Sequence, residues 1–177
     1  MHKAHRFVTG LNDKGQSTVT IDDDAPNVMK VEGWPGAYVS ELWVTDSCPV
    51  DNSGDTDTSL RPIQHEPTPL GSIFRVAEFP SETSGGIDSR AAFNQIGTRN
   101  KPSDEDIGKH PTMHYTDSID YVIVISGEMH MQMEDGEEVL LRQGDCVVQR
   151  GTKHAWVNRS GKPCVIAAVL IDAEPLT

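Results

Sequence analysis

Apolar residues along this chain come in short runs broken by Gly, Pro, Asp and Asn, a rhythm of strands and turns. The first third holds three such runs, at 5–9, 17–21 and, most strongly, 37–45 (AYVSELWVT). A polar stretch follows at 46–69, where Pro62, Pro67 and Pro69 block regular structure, so a long surface loop is expected. Residues 72–79 (SIFRVAEF) read as a further strand. The rhythm then breaks across 80–111. One helix is predicted there, at 87–96 (IDSRAAFNQI), with Asp88 or Ser89 to cap it and Gly97 to end it. The polar remainder of that connection reads as loop, and so long a connection is usually a lid, a binding loop or a mobile segment, with a disordered insertion as the plainer alternative. From position 120 the strands close up: 120–126 (DYVIVIS), 129–133, 137–142, 146–149, 154–158 and 163–171. Turns at Gly127, Gly136 and Gly144 punctuate them, as in a sandwich or barrel.

Composition narrows the partners. The chain has 177 residues, enough for one domain, and 15 Gly with 11 Pro suit many turns. Its formal charge of -12 argues against nucleic acid, since phosphate binding needs a basic surface, and against docking on anionic lipid. No apolar run reaches the length of a membrane span, and the first residues lack the apolar stretch of a secretory signal. Three cysteines without a CxxC pair fit a reducing cytoplasm better than a disulfide framework. Cys146 and Cys164 lie in strand-like segments and are expected to be small core residues.

Polar residues at strand starts carry the candidate chemistry. Asp120 begins an apolar strand, and His114 stands an even number of residues before it, so both would face one side of an extended chain. His154 opens a later strand just after the turn at 150–153. Two imidazoles and a carboxylate from neighbouring strand starts would suit Fe, Mn, Ni or Zn. Each has a plainer alternative: His154 as a strand histidine bonded to backbone, His114 as a loop residue, Asp120 as a strand cap. Tyr115 is a candidate proton donor. Trp156, Met113 and His130 are candidates to line a pocket, with Met129, Met131 and Met133 as adaptable core or wall. His2, His5 and His65 are expected at the surface.

Gly144-Asp145, Cys146-Val147-Val148, Gln149-Arg150-Gly151, His154 and Asn158 resemble the second motif of the cupin superfamily, with Gln149 where Pro is usual. Asp120, seven residues before Gly127, takes the place of the Glu in the first motif. Of that motif's H-x-H pair only His114 is present, with Thr112 in the other position. His110 is the candidate replacement, although Pro111 interrupts the strand between them.

The resemblance implies an all-β, double-stranded β-helix (jelly-roll) barrel with extra N-terminal strands and one short helix in a long loop. A single domain would span 1–177: N-terminal strands and loop at 1–79, a lid-like connection at 80–111 and the core motifs at 112–172. It also implies a divalent metal held by His114, Asp120 and His154, with His110 as a fourth ligand, and a homodimer. The leading functional expectation is a metal-dependent enzyme acting on a small oxygenated or carboxylated metabolite, by oxygenase, decarboxylase, lyase or isomerase chemistry. The alternative is a non-catalytic binder of small molecules with a degenerate metal site. Fold alone does not choose between them.

Overall fold

The computed structural model describes residues 1–82 and 86–177. Its described strands are β1 (His5–Leu11), β2 (Ser17–Asp24), β3 (Asn27–Lys30), β4 (Tyr38–Thr45), β5 (Ser72–Phe79), β6 (Ser118–Ser126), β7 (Glu128–Met133), β8 (Glu138–Arg142), β9 (Cys146–Arg150), β10 (His154–Val157) and β11 (Cys164–Asp172). Two helices, α1 (Ser89–Gln95) and α2 (Asp104–Lys109), lie between β5 and β6. Every pairing is antiparallel. A six-stranded sheet runs in the order β3-β4-β5-β11-β6-β9 and a three-stranded sheet in the order β10-β7-β8, while β1 and β2 form a separate hairpin. The two larger sheets enclose one core, in which Val122, Val124 and Ile166 of the first pack with Met129, Leu141 and Trp156 of the second. This is the expected jelly roll, and the early strands β4 and β5 belong to its main sheet.

Alternation decides what points inward. Along β6, Asp120, Val122 and Val124 are buried and Ile119, Tyr121 and Ile123 are exposed. The same rule corrects one expectation: Cys164 is buried on β11, but Cys146 lies on the outward parity of β9 and is exposed. Gly127 closes the β6–β7 turn at φ 78°, where a Cβ would stand 2.7 Å from the Pro163 carbonyl oxygen, so only glycine fits.

The connection at 80–111 is more ordered than expected. α1 forms where predicted, with the Asp88 side chain accepting from the Ala91 amide. Gly33, at φ 69°, receives its N-terminus: Asp88 donates its amide to the Gly33 carbonyl at 2.7 Å, and a Cβ on Gly33 would lie 2.6 Å from the Asp88 oxygen. α2 falls in the stretch expected to be loop. A capping box joins Ser103 and Asp106, and three acidic residues in its first turn complement the helix dipole, so a polar hexapeptide holds a helical turn. Among its described residues the connection therefore carries two short helices, where one was expected. Among the described residues no helix is long and apolar enough to cross a membrane.

Candidate functional site

His114 and His154 are set side by side by the backbone. They form an isolated antiparallel bridge, each amide donating to the other's carbonyl at 3.0 and 2.9 Å. Their rings lie on one side of that bridge with centroids 4.4 Å apart. The His114 Nδ1–H donates to the Thr112 carbonyl at 2.7 Å and the His154 Nδ1–H to the Thr152 carbonyl at 2.9 Å. Both tautomers are thereby fixed, and Nε2 carries the lone pair in each ring.

A third imidazole joins them from the long loop. His65, expected at the surface, has a side chain only 12% exposed. Its ring stands 4.8 Å from that of His114 and 5.6 Å from Phe93. Four bonds hold it: its amide donates to Ile96 at the end of α1, Nδ1 meets the Thr98 hydroxyl at 3.1 Å, and its carbonyl and that of Gln64 accept from the Arg75 guanidinium. Arg75 is buried on the inward parity of β5 and donates to Glu41 of β4 at 2.7 Å. Nothing in the Pro-rich sequence around His65 marks it. The available signal was an arginine at an inward position of a strand, which needs buried acceptors.

His65, Arg75, His114 and His154 line a cavity of about 120 Å³ between the sheets. Asp120, Thr112 and Thr116 add polar groups to the lining, and Trp34, Phe79, Phe93 and Trp156 add aromatic ones. Ala92, Phe93 and Ile96 bring α1 over it. Burial pushes the Asp120 carboxyl up to about 6, against the Ser118 hydroxyl at 2.6 Å. Burial pushes His154 down to about 4 and His114 well below its ordinary value, the latter helped by the neighbouring His154 and His65. Burial also lowers His65, against the pull of Glu66. At neutral pH the cavity thus presents three uncharged imidazoles and a carboxyl that exchanges its proton near physiological pH.

Of the other expected site residues, one lines the cavity and the rest lie outside it. Trp156 is on the cavity wall, with its ring 5.2 Å from that of His154. Met113 is fully buried in a separate small cluster with Ala155 and Val157. Tyr115 is half-buried and outside the cavity lining, as is His130, which pairs with Val157 across β7 and β10. His110 ends α2 with both ring nitrogens engaged, Nε2 at 2.7 Å from Glu82 and Nδ1 at 2.9 Å from the Thr112 hydroxyl.

A divalent metal finds an incomplete seat. The paired Nε2 atoms have the orientation and backbone support that metal-binding histidines have. Among the described residues, however, no three His, Cys, Asp or Glu side chains converge closely enough to hold an ion. Asp120 is tied to Ser118, and the Thr112 position offers a hydroxyl bonded to the Trp156 carbonyl instead of an imidazole.

Comparison with known proteins agrees with the architecture. A family model described as a cupin domain matches residues 104–171. The cupin-domain-containing oxidoreductase virC of Hypocrea virens is 29% identical over 99% of this chain and 79% of its own length. The cupin-domain-containing oxidoreductase srdB of Neurospora crassa is 30% identical over 97% of this chain and 74% of its own. The oryzines biosynthesis cluster protein J of Aspergillus oryzae is 32% identical over 65% of this chain and 73% of its own. With the jelly roll, the Gly127 and Gly144 turns and the bridged histidines in place, this chain belongs to the cupin superfamily.

Proposed function

We propose that this chain is an enzyme of the oxidoreductase kind for which its relatives are named, acting on a small, mostly apolar molecule that carries an oxygen function. The observation that supports this reading is the row of three neutral imidazoles that, with Asp120, lines a mostly apolar cavity. The size is informative: about 120 Å³ is slightly less than the ~150 Å³ of an engineered cavity that takes benzene, so the part of the substrate held inside is a single ring or a short chain. The aromatic walls hold that part and exclude water. The Nε2 lone pairs of His114 and His154 accept from a substrate hydroxyl, and Asp120, with its pKa near 6, takes its proton. The hydride or electron pair of the oxidised carbon passes to an external two-electron acceptor, such as O₂ or a soluble nicotinamide, that must be supplied with the substrate. His65 packs against His114 through ring contact and adds a third imidazole to the row. Tyr115 has no part, being outside the cavity. A divalent metal of the Fe, Mn, Ni or Zn group is given no step in this reading, because the third donor is missing.

That missing donor favours a second reading, a cupin that binds a small molecule without transforming it. One experiment separates them. The protein is purified without a histidine tag, its metal content is measured, and the measurement is repeated on His154→Ala. Near-stoichiometric metal that disappears in the variant restores the metalloenzyme and shows that the donors converge on loading. Absence of metal in both, with no thermal shift on adding Fe, Mn, Ni or Zn ions, removes the metal. Oxidase or dehydrogenase assays of the metal-free protein on phenolic and short-chain alcohols or aldehydes then decide between enzyme and binder.

A further inference from the structure

Phe93 stands between two hollows. On its α1 side the cavity of about 120 Å³ is lined by Ala92, Phe93 and Ile96. A second hollow, a cleft of about 220 Å³ between α1 and α2, also has Phe93 in its wall, with Ser89, Asn94, Pro102 and Ile107. Helical spacing produces this double membership. Residues 92, 93 and 96 form the stripe on the cavity, and residues 89, 90, 93 and 94 form the stripe on the cleft. Phe93 is common to both. Its ring lies 5.6 Å from that of His65 and 5.4 Å from that of His114, so it packs directly on the imidazole row.

The helix that carries it is tied at both ends. The Asp88 amide donates to the Gly33 carbonyl at 2.7 Å, and the Ser89 hydroxyl donates to the Pro111 carbonyl. At the other end the Ile96 carbonyl accepts from the His65 amide at 2.8 Å. The Gln95 amide bonds twice to the chain before β4, accepting from the Glu32 amide and donating to the Lys30 carbonyl. With the backbone held in this way, the boundary between the hollows depends on one side chain.

We infer that Phe93 is the specificity-determining residue that limits substrate size. It stops the apolar part at a single ring or a short chain, and a smaller side chain here lets that part run on into the cleft. The inference rests on the cavity being the substrate site, as proposed above. A large-to-small change between elements that are held apart leaves open apolar space, which binds apolar ligands. The cleft suits such a tail: Pro102 and Ile107 give it apolar walls beside Phe93. Lys101 stands at the same cleft with its Nζ bonded to the neutral Asn94 amide oxygen at 3.0 Å.

Isothermal titration of the whole chain with phenol and with para-ethyl-, para-butyl- and para-hexylphenol tests this. Each methylene that finds apolar room tightens binding by about fourfold. For the wild-type chain the gain is expected to stop at the longer tails. For Phe93→Ala it is expected to continue, so that para-hexylphenol binds at least about tenfold tighter than to wild type, while phenol changes by less than about threefold. Adding Ile107→Asp to Phe93→Ala is expected to cancel the gain by placing a carboxylate in the cleft. If Phe93→Ala does not fold, Phe93→Val is expected to move para-hexylphenol in the same direction by at least about threefold. Identical chain-length profiles in wild type and variant overturn the inference, as does a gain that survives Ile107→Asp in a chain with an unchanged far-UV spectrum. A wild-type chain that binds none of the phenols removes the cavity as the substrate site. In that case para-hexylphenol binding by Phe93→Ala still supports the size limit, and its absence overturns it.

Discussion

Two arginines are buried in this molecule, and they are treated in opposite ways. Arg6 of the N-terminal hairpin has its donors engaged: Nε with Asp23, Nη1 with the Leu42 carbonyl, Asp57 and Ser59, and Nη2 with Asp57 and Asp23. Asp57 is held down to about 2 in return. Arg75, at the cavity, has one carboxylate partner and two loop carbonyls, while its Nε and the second oxygen of Glu41 have no partner among the described residues. Burial raises Glu41 even beside that guanidinium. A satisfied buried charge fastens one element to another. A half-satisfied one at a cavity wall leaves hydrogen-bonding capacity facing a ligand, at a cost in stability.

The largest expected effect tests the costlier place. Arg75→Met should lower the unfolding free energy by about 3–5 kcal/mol, because Glu41 is left buried without a partner. Arg75→Met with Glu41→Leu should recover at least half of that loss in urea denaturation. If the double variant is no better than the single one, the pair is a net stabiliser and the contrast with Arg6 fails. Arg6→Met should cost less, about 1–3 kcal/mol, since Asp23 and Asp57 both reach solvent once released. Its signature is local: hydrogen exchange should accelerate in β1 and β2 and not in β6 or β11. Uniform acceleration would show that the hairpin is part of the global folding unit.

The smallest effects, on the order of 1–2 kcal/mol, should appear as opposite pH slopes in two Asp→Asn variants. Asp57 has a depressed pKa, so its stabilisation is present above about pH 4 and is lost as pH falls toward 2. Asp57→Asn should therefore be destabilised at pH 7 and converge with wild type at the acid end. Asp120 has a raised pKa, so the unfolded chain gives up this proton first and stability falls as pH rises from about 4 through 6. Asp120→Asn should match wild type near pH 4 and exceed it at pH 7. Thermal unfolding across that range checks both, and parallel profiles would remove the distinction between the two buried places.

All strands of the main sheet except β3 could be read from sequence because alternation and turn glycines are local signals. The run at 72–79 and the DYVIVIS run of β6 needed nothing beyond them. β3, four residues long with alternating half-burial, owes its conformation to pairing with β4, which no local pattern encodes. The turn of α2 was legible in the Ser103–Asp106 spacing but was masked by its polarity. His114, Asp120 and His154 are brought to one cavity because strand parity and the cupin turns are written locally. His65 reaches it through Arg75 and the end of α1, contacts made across long separations. His110 lies in the right stretch of chain, but its place at the end of α2 turns it to Glu82.

The reciprocal amide–carbonyl bridge between residues 114 and 154 fixes the spacing of two side chains without using either of them. The scaffold is thereby indifferent to what those side chains are. Exchange of either histidine for a carboxylate, a thiol or an amide would leave the socket in place and change only the chemistry it holds.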